Sequence, residues 1–179
     1  MPPPGSKGAY VLLLRFARRE VVEVGALGSV EFDAGQYAYV GSAMGRGAVG
    51  LRGRVARHAR GAAKRRWHVD HVLASPACRL LEAWTLQVEP AGGRECAGGI
   101  ECEVSSAVAA VGAPIRAGLG SSDCKRCEAH LYRLPVDVAA ARALLWSALR
   151  PLGRLGTWRR ADAALAAGQG EAGQDWEAG

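Results

Sequence analysis

The sequence has no long apolar segment of the kind that membrane and secreted proteins carry. No stretch approaches the roughly 20 apolar residues that a membrane-spanning helix needs, although 49% of the 179 residues are hydrophobic. The N-terminal sequence Met-Pro-Pro-Pro-Gly-Ser-Lys lacks the apolar centre of a signal peptide. We therefore expect a cytoplasmic protein without a membrane partner, and its length predicts one ordinary domain.

Acidic residues are absent between positions 46 and 66, whereas arginine and lysine are dense there. This segment, the basic block, fits a polyanion such as nucleic acid, because its cations can neutralise phosphates and release counterions. The alternative is a solvated helix face that binds no partner. The predicted nucleic-acid surface consists of Arg46, Arg52, Arg57, Arg60, Lys64, Arg65, Arg66 and His68.

Cysteines are few and odd in number, with five in the chain, so a disulfide framework is not expected in a cytosolic protein. Cys124, Cys127 and His130 lie within seven residues, and Cys102 on an earlier helix is a candidate fourth ligand. Four such donors suit tetrahedral zinc, although the usual two-by-two pairing of ligands is missing. The alternative is that Cys102 and Cys124 are small buried hydrophobic residues and a hydrogen bond holds His130.

Hydrophobic periodicity and turn signals predict an α+β domain with a small, mostly antiparallel sheet flanked by helices. Residues 1–7 are predicted to be disordered, residues 8–150 to form the domain, and residues 151–179 to form a weakly ordered acidic tail. Asp137 is a predicted N-cap for the last helix. The predicted strands are 8–16, 21–24, 29–32, 36–41, 78–88 and an edge strand at 129–134, and the predicted helices are 49–60, 67–73, 100–111 and 138–149.

Two short patches about thirty residues apart, Gly8-Ala9-Tyr10 and Tyr39-Val40-Gly41, each place a tyrosine at the end of a strand-like run. A helical segment, Leu51-Arg52-Gly53-Arg54-Val55-Ala56-Arg57-His58, follows the second patch. In order and spacing these elements resemble the GIY-YIG nuclease superfamily, with Ala9 in place of an isoleucine. The resemblance implies a metal-dependent endonuclease in which Tyr10, Tyr39, Arg54 and His58 are catalytic.

The resemblance also implies a glutamate on a later helix that holds the catalytic metal, Mg or Mn. That helix begins Ile100-Glu101-Cys102-Glu103. Glu103 is our choice as the fifth catalytic residue and metal ligand, with Glu101 as the alternative. Periodicity does not separate the two carboxylates, because both flank the apolar stripe of the helix.

The match is closest to a small branch of the superfamily that is sometimes joined to endonuclease-III-type DNA glycosylases. Its hallmarks resemble three segments here: Trp67 to His71, Glu101 to Glu103, and Gly118 to Leu131. The resemblance covers roughly residues 8–134 and implies a DNA substrate, a role in DNA repair and a repair protein as partner. This chain carries no glycosylase domain of its own.

Phosphodiester hydrolysis needs a base for the attacking water, neutralisation of phosphate charge and assistance to the leaving oxygen. A guanidinium clamps phosphate oxygens, and a phenol or imidazole whose pKa is lowered by nearby positive charge acts as a base. Taken singly, a tyrosine that ends a strand is usually a core or rim residue. Two rival functions therefore stay open: a non-catalytic nucleic-acid-binding module of the same fold, and a small zinc-stabilised adaptor.

Overall fold

The computed structural model describes residues 6–45, 49–61, 64–87, 99–122, 124–135, 137–153, 155–159 and 176–178. It confirms the α+β class: a seven-stranded antiparallel sheet, with strand order β6-β7-β4-β1-β5-β8-β9, a separate β2-β3 hairpin, and flanking helices. The strands are β1 Gly8–Phe16, β2 Glu20–Glu23, β3 Ser29–Phe32, β4 Gly35–Ala43, β5 Cys78–Gln87, β6 Ala113–Pro114, β7 Leu131–Leu134, β8 Leu155–Arg159 and β9 Trp176–Ala178; the helices are α1 Leu51–Arg60, α2 His68–Leu73, α3 Gly99–Ala109 and α4 Val138–Leu149.

Strand β1 lies at the centre of the sheet and is buried on both faces, which explains its nearly continuous apolar run. Because side chains alternate along a strand, Leu12 and Leu14 pack on the face covered by α1 and α2. Val11 and Leu13 pack on the opposite face, against α3 and α4. The sheet therefore separates two hydrophobic cores. Residues that pair directly on neighbouring strands project toward the same core.

The helices begin and end close to where the sequence predicted them. The Asp137 side chain caps α4 by accepting a hydrogen bond from the Ala140 N–H at 2.9 Å. In α1 the apolar stripe of Leu51 and Val55 is buried, and His58 joins it as a buried polar residue. This orientation turns one side of the basic block toward the sheet and leaves the other toward solvent.

The segment after residue 150 departs from the prediction of a weakly ordered tail. Leu155–Arg159 forms β8, which extends the sheet by pairing with β5, and the buried Leu155 packs into the core beneath α3 and α4. Strand β7 is likewise internal, because β6 pairs with its outer edge. Residues 1–5, 154, 160–175 and 179 of the predicted N-terminal and C-terminal segments lie outside the described residues. No helix among the described residues is long and apolar enough to cross a membrane.

Candidate active site and adjoining thiol cluster

The two tyrosines of the sequence motifs lie side by side on adjacent strands. Tyr10 pairs with Gly41, and Tyr39 pairs with Leu12, so both tyrosines project from the face covered by α1. Their ring centroids are 6.4 Å apart. Tyr10 is 1% exposed and Tyr39 is 6% exposed. Both tyrosines therefore lie on one face of two neighbouring strands, as residues of a single site must.

Gly41 leaves the space that the Tyr10 ring occupies. A Cβ atom at Gly41 would lie 2.4 Å from both Cζ and Oη of Tyr10, closer than non-bonded atoms approach. The glycine of the Tyr-Val-Gly patch is thus required by the neighbouring strand's tyrosine, which links the two sequence motifs physically.

We expect the Gly41→Ala variant to displace the Tyr10 ring and lower the free energy of unfolding by about 1–3 kcal/mol, the usual cost of overpacking. Chemical denaturation measures this cost. In a Tyr10→Ala background the added methyl group meets no ring, so the same substitution should cost much less. Equal costs in the two backgrounds would contradict this account of Gly41.

His58 supplies the polar partner of Tyr10. The Tyr10 hydroxyl and His58 Nε2 are 3.0 Å apart. Burial, aided by Arg57 and Arg54 and opposed by Asp70, lowers the pKa of His58 to about 4. Burial also raises the pKa of Tyr10. At neutral pH the phenol and the imidazole that share this hydrogen bond are therefore both neutral. The other imidazole nitrogen, Nδ1, lies 3.8 Å from Asp70 Oδ1.

Of the phenol and the imidazole that the sequence offers as bases, neither phenol has a lowered pKa. Burial is the largest influence on both phenols and raises the pKa of each; the positive charge of Arg54 opposes that rise. The imidazole of His58 remains neutral at neutral pH and is therefore free to accept a proton. The lowering of its pKa comes first from burial and only then from the neighbouring cations.

Arg54 is oriented by a stack of side chains on Trp67. The guanidinium carbons of Arg54 and Arg57 each lie 4.3 Å from the centroid of the Trp67 ring. Arg57 in turn donates two hydrogen bonds to Asp70, at 2.9 and 2.8 Å. The buried Nε of Arg54 has no hydrogen-bond partner within the described part of the chain. Arg54 is thus held beside the tyrosines with part of its donor capacity unused.

Asp70 joins α1 to the start of α2. Besides Arg57, its carboxylate accepts from the backbone N–H groups of Arg66 and Trp67, at 2.8 and 3.1 Å. Burial works against ionisation of Asp70, but these hydrogen bonds outweigh it and hold its pKa below the usual value. Arg57, predicted as a nucleic-acid ligand, is therefore engaged in bracing the site.

His68 also faces inward, since its Nδ1 accepts from the Gly120 N–H at 3.0 Å. The outward members of the predicted nucleic-acid surface are exposed: Arg52, Arg60, Lys64, Arg65 and Arg66. Arg46 lies outside the described residues.

Of the two candidate carboxylates on α3, Glu101 makes the contacts with the site. Ser42, one position beyond the Tyr-Val-Gly patch, donates to Glu101 Oε2 at 2.7 Å. Glu101 Oε1 lies 3.5 Å from Nδ1 of the buried His130. Burial disfavours the charged form of Glu101, but His130, Ser42 and the charge of Arg54 lower its pKa overall. Glu101 is therefore an anion within electrostatic reach of both tyrosines.

Glu103, our choice from the sequence, projects from another side of α3. Successive residues of an α-helix are rotated by about 100°, so Glu103 lies about 200° around the axis from Glu101. Val104, Ser105 and Val108 are the buried residues of α3. The mean direction in which their side chains leave the helix axis is close to that of Glu101, so Glu101 lies on the buried side of the helix. The geometry thus favours the alternative, Glu101, over Glu103 as the carboxylate of the site.

Three thiols lie beside Glu101 and form the thiol cluster, Cys102, Cys124 and Cys127. Their sulfur atoms are all within 4.8 Å of one another, so the cluster could hold a metal ion. Cys102 Sγ and Cys124 Sγ are 3.4 Å apart, and all three cysteines are free. His130, the fourth predicted ligand, contacts Cys127 and Glu101 but lies outside this tight group.

Sequence reasoning missed the roles of Ser42 and Trp67. Trp67 begins the Trp67 to His71 segment and follows the basic helix directly. A tryptophan in that place is the signal in the sequence for an arginine stacked on its ring. For Ser42 we find no signal in the sequence, because its partner Glu101 is 59 residues away on α3.

A family model described as a domain of unknown function, DUF123, matches residues 9–150. The matched segment includes both tyrosines, Arg54, His58, Glu101 and the thiol cluster. No curated protein matches the sequence. No solved structure matches it either.

Proposed function

We propose that this chain, which belongs to the DUF123 family, is a metal-dependent endonuclease that hydrolyses phosphodiester bonds in DNA. The observation that carries the proposal is the buried Tyr10–His58 pair flanked by Arg54 and Glu101. A base, a hydroxyl, a cation and a carboxylate that meet in one place are the groups that phosphodiester hydrolysis requires. The resemblance to GIY-YIG nucleases implies catalytic roles for Tyr10, Arg54 and His58, and it implies a metal-holding glutamate on α3, for which the sequence offered Glu103 first and Glu101 as the alternative.

The proton path follows from the hydrogen bond at 3.0 Å between Tyr10 and His58. Neutral His58 Nε2 accepts the phenolic proton as the Tyr10 oxygen takes a proton from the attacking water, so no free phenolate accumulates. Arg54 donates to the phosphate oxygens as their negative charge grows, and its Nε has no hydrogen-bond partner among the described residues. The Tyr39 ring lies beside those of Tyr10 and His58, with centroids 6.4 Å from each, and we assign its hydroxyl to orienting the water.

Glu101 is the residue that would hold a magnesium or manganese ion. The fit rests on its lowered pKa, which keeps the carboxylate charged beside the tyrosines. One carboxylate together with substrate phosphates and water is a usual ligand set for Mg²⁺. Such an ion supplies charge neutralisation and assistance to the leaving oxygen.

The thiol cluster suits a softer metal, and we assign zinc to it with Cys102, Cys124 and Cys127 as ligands.

One observation favours a second candidate function, a non-catalytic nucleic-acid-binding module of the same fold. Tyr10 and Tyr39 are almost fully buried, so little of either side chain is open to a phosphate. A cleavage assay with Mg²⁺ and Mn²⁺ on single-stranded, duplex, flap and branched DNA separates the two functions. Binding without metal-dependent cleavage on any of these substrates would establish the module and overturn the nuclease.

The exposed cations of the basic block should make DNA affinity steeply salt-dependent. Replacing Arg60, Lys64, Arg65 and Arg66 by serine removes four exposed charges that lie outside the site. If each neutralises one phosphate, the slope of log K against log salt should shrink by up to about 3.6, or about 0.9 per phosphate on duplex DNA. Fluorescence anisotropy at several salt concentrations measures the slope.

A matched control removes the same charge elsewhere. The exposed residues Arg15, Arg18, Arg79 and Arg150 lie outside the basic block, and their replacement by serine should leave the slope nearly unchanged. If both quadruple variants flatten the slope equally, the effect is one of net charge and the block is not the DNA surface.

A further inference from the structure

The thiol cluster and Glu101 meet at the same turn of α3. Glu101 and Cys102 are adjacent residues in the first turn of the helix. Cys124 and Cys127 lie in the loop that leads to His130 and β7. Any ion that joins Cys102 to this loop therefore fixes the helix end that carries the carboxylate of the candidate active site.

The sulfur geometry already matches a tetrahedral thiolate site. With zinc–sulfur bonds of about 2.3 Å, the sulfurs of such a site lie about 3.8 Å apart. The three sulfurs here are within 4.8 Å of one another, and one pair is at 3.4 Å. The distance of 3.4 Å between Cys102 Sγ and Cys124 Sγ is far longer than a disulfide bond of roughly 2.05 Å. The Cys127 N–H also donates to Cys124 Sγ at 3.4 Å, a contact that stabilises a thiolate.

His130 is the second observation that points to a ligand. It is 1% exposed, and neither of its ring nitrogens has a hydrogen-bond partner of good geometry among the described residues. A buried imidazole without hydrogen bonds lowers the free energy of unfolding unless another group bonds to its nitrogens. Nδ1 faces Glu101 at 3.5 Å, so Nε2 remains for another partner, and the ring already contacts Cys127.

We propose that zinc bound by Cys102, Cys124 and Cys127 takes His130 Nε2 as its fourth ligand, and that His130 then holds Glu101 in place through Nδ1–H. The three sulfurs bind as thiolates and Nε2 binds without a proton, so every proton that these four atoms carry beforehand is released, while Nδ1 keeps its proton for the carboxylate. A histidine that binds zinc through one ring nitrogen commonly donates its other N–H to a carboxylate. His130 is thus a positioning residue, and the zinc links a structural site to the magnesium-binding carboxylate.

The role of Glu101 as a metal ligand rests on the proposed function, so the experiment reads zinc and Mn²⁺ binding separately from cleavage. The full chain, purified from zinc-supplemented cells, should contain one zinc per chain by plasma mass spectrometry. The Cys102→Ser and Cys127→Ser variants should lose it, whereas Cys78→Ala, which alters a buried cysteine on β5, should keep it. Cobalt in place of zinc should show the intense visible bands of a tetrahedral thiolate site.

The His130→Cys variant separates zinc binding from positioning, because a fourth thiolate keeps the metal but cannot hold Glu101. Its zinc content should equal that of the parent, and its Mn²⁺ dissociation constant, measured by electron paramagnetic resonance, should rise about 10- to 100-fold. Parent protein without zinc, or Cys102→Ser that retains it, overturns the metal site. An unchanged Mn²⁺ affinity in His130→Cys overturns the positioning role. A chain that binds both metals as described but cuts no DNA refutes only the nuclease.

Discussion

The Glu101→Gln variant should lose cleavage by at least about 10³-fold, while Glu103→Gln should cut DNA within about twofold of the parent. A metal ion that neutralises transition-state charge contributes several kcal/mol, and loss of about 4 kcal/mol lowers a rate about 10³-fold. Glutamine keeps the shape of the side chain, so the hydrogen bond from Ser42 at 2.7 Å can persist. Initial rates with Mg²⁺ and Mn²⁺ measure the effect.

Glu103→Gln is the matched control, since it makes the same chemical change two residues away on the same helix. Thermal unfolding and DNA affinity without metal should stay close to the parent in both variants. If Glu103→Gln is inactive and Glu101→Gln is active, the helical geometry assigned to α3 is misleading and the original choice stands. If both variants cut normally, no carboxylate of this helix holds the metal.

The choice between these carboxylates shows where sequence reasoning ends. The pattern located α3 and its apolar stripe, but residues that flank a stripe on either side look equivalent until the neighbouring elements are known. The contacts that separate them come from Ser42 and His130, which lie 59 and 29 residues away from Glu101 along the chain. Such long-range pairs leave no local signal in a single sequence.

The strands and most helices could be predicted because their cause is local. The run in β1, the turn before β4 and the N-cap at Asp137 each depend on residues a few positions apart. Strand β8 was missed because Leu155–Arg159 has little alternation, and its pairing with β5 is what makes it a strand. The convergence of Tyr10, Tyr39, Arg54 and His58 was predicted through motif resemblance, since spacing alone does not bring strands and helices together.

The choice between a phenol and an imidazole as base also depends on the whole fold. Nearby positive charge favours a lowered pKa for either group, but the exposed fraction of each side chain is a property of the complete structure. Tyr10 lies under α1 with 1% of its surface exposed, and burial outweighs the charge of Arg54. Burial also lowers the pKa of His58, so the proposed nuclease uses the neutral imidazole and not the phenol as its base.

The His58→Gln variant should lower kcat by about 10²–10⁴-fold, the usual contribution of a general base, with little change in DNA affinity. In the parent, kcat/KM should stay nearly flat from pH 8 to about pH 5 and fall only as His58 is protonated near pH 4. An exposed histidine would instead produce the fall near pH 6.5. If kcat/KM of the parent falls near pH 6.5, the result would contradict a buried, neutral His58.

Protein stability gives an independent reading of the same residue. The pKa of His58 is about 4 in the folded chain and near 6.5 when unfolded, so the unfolded state binds more protons between these values. The free energy of unfolding should therefore decrease as the pH falls from 6.5 to 4, by up to about 3 kcal/mol from this group. Urea titrations across this range should show a shallower pH dependence for His58→Gln than for the parent. If the two pH dependences coincide, His58 is not the buried base, and the Tyr10–His58 proton path fails with it.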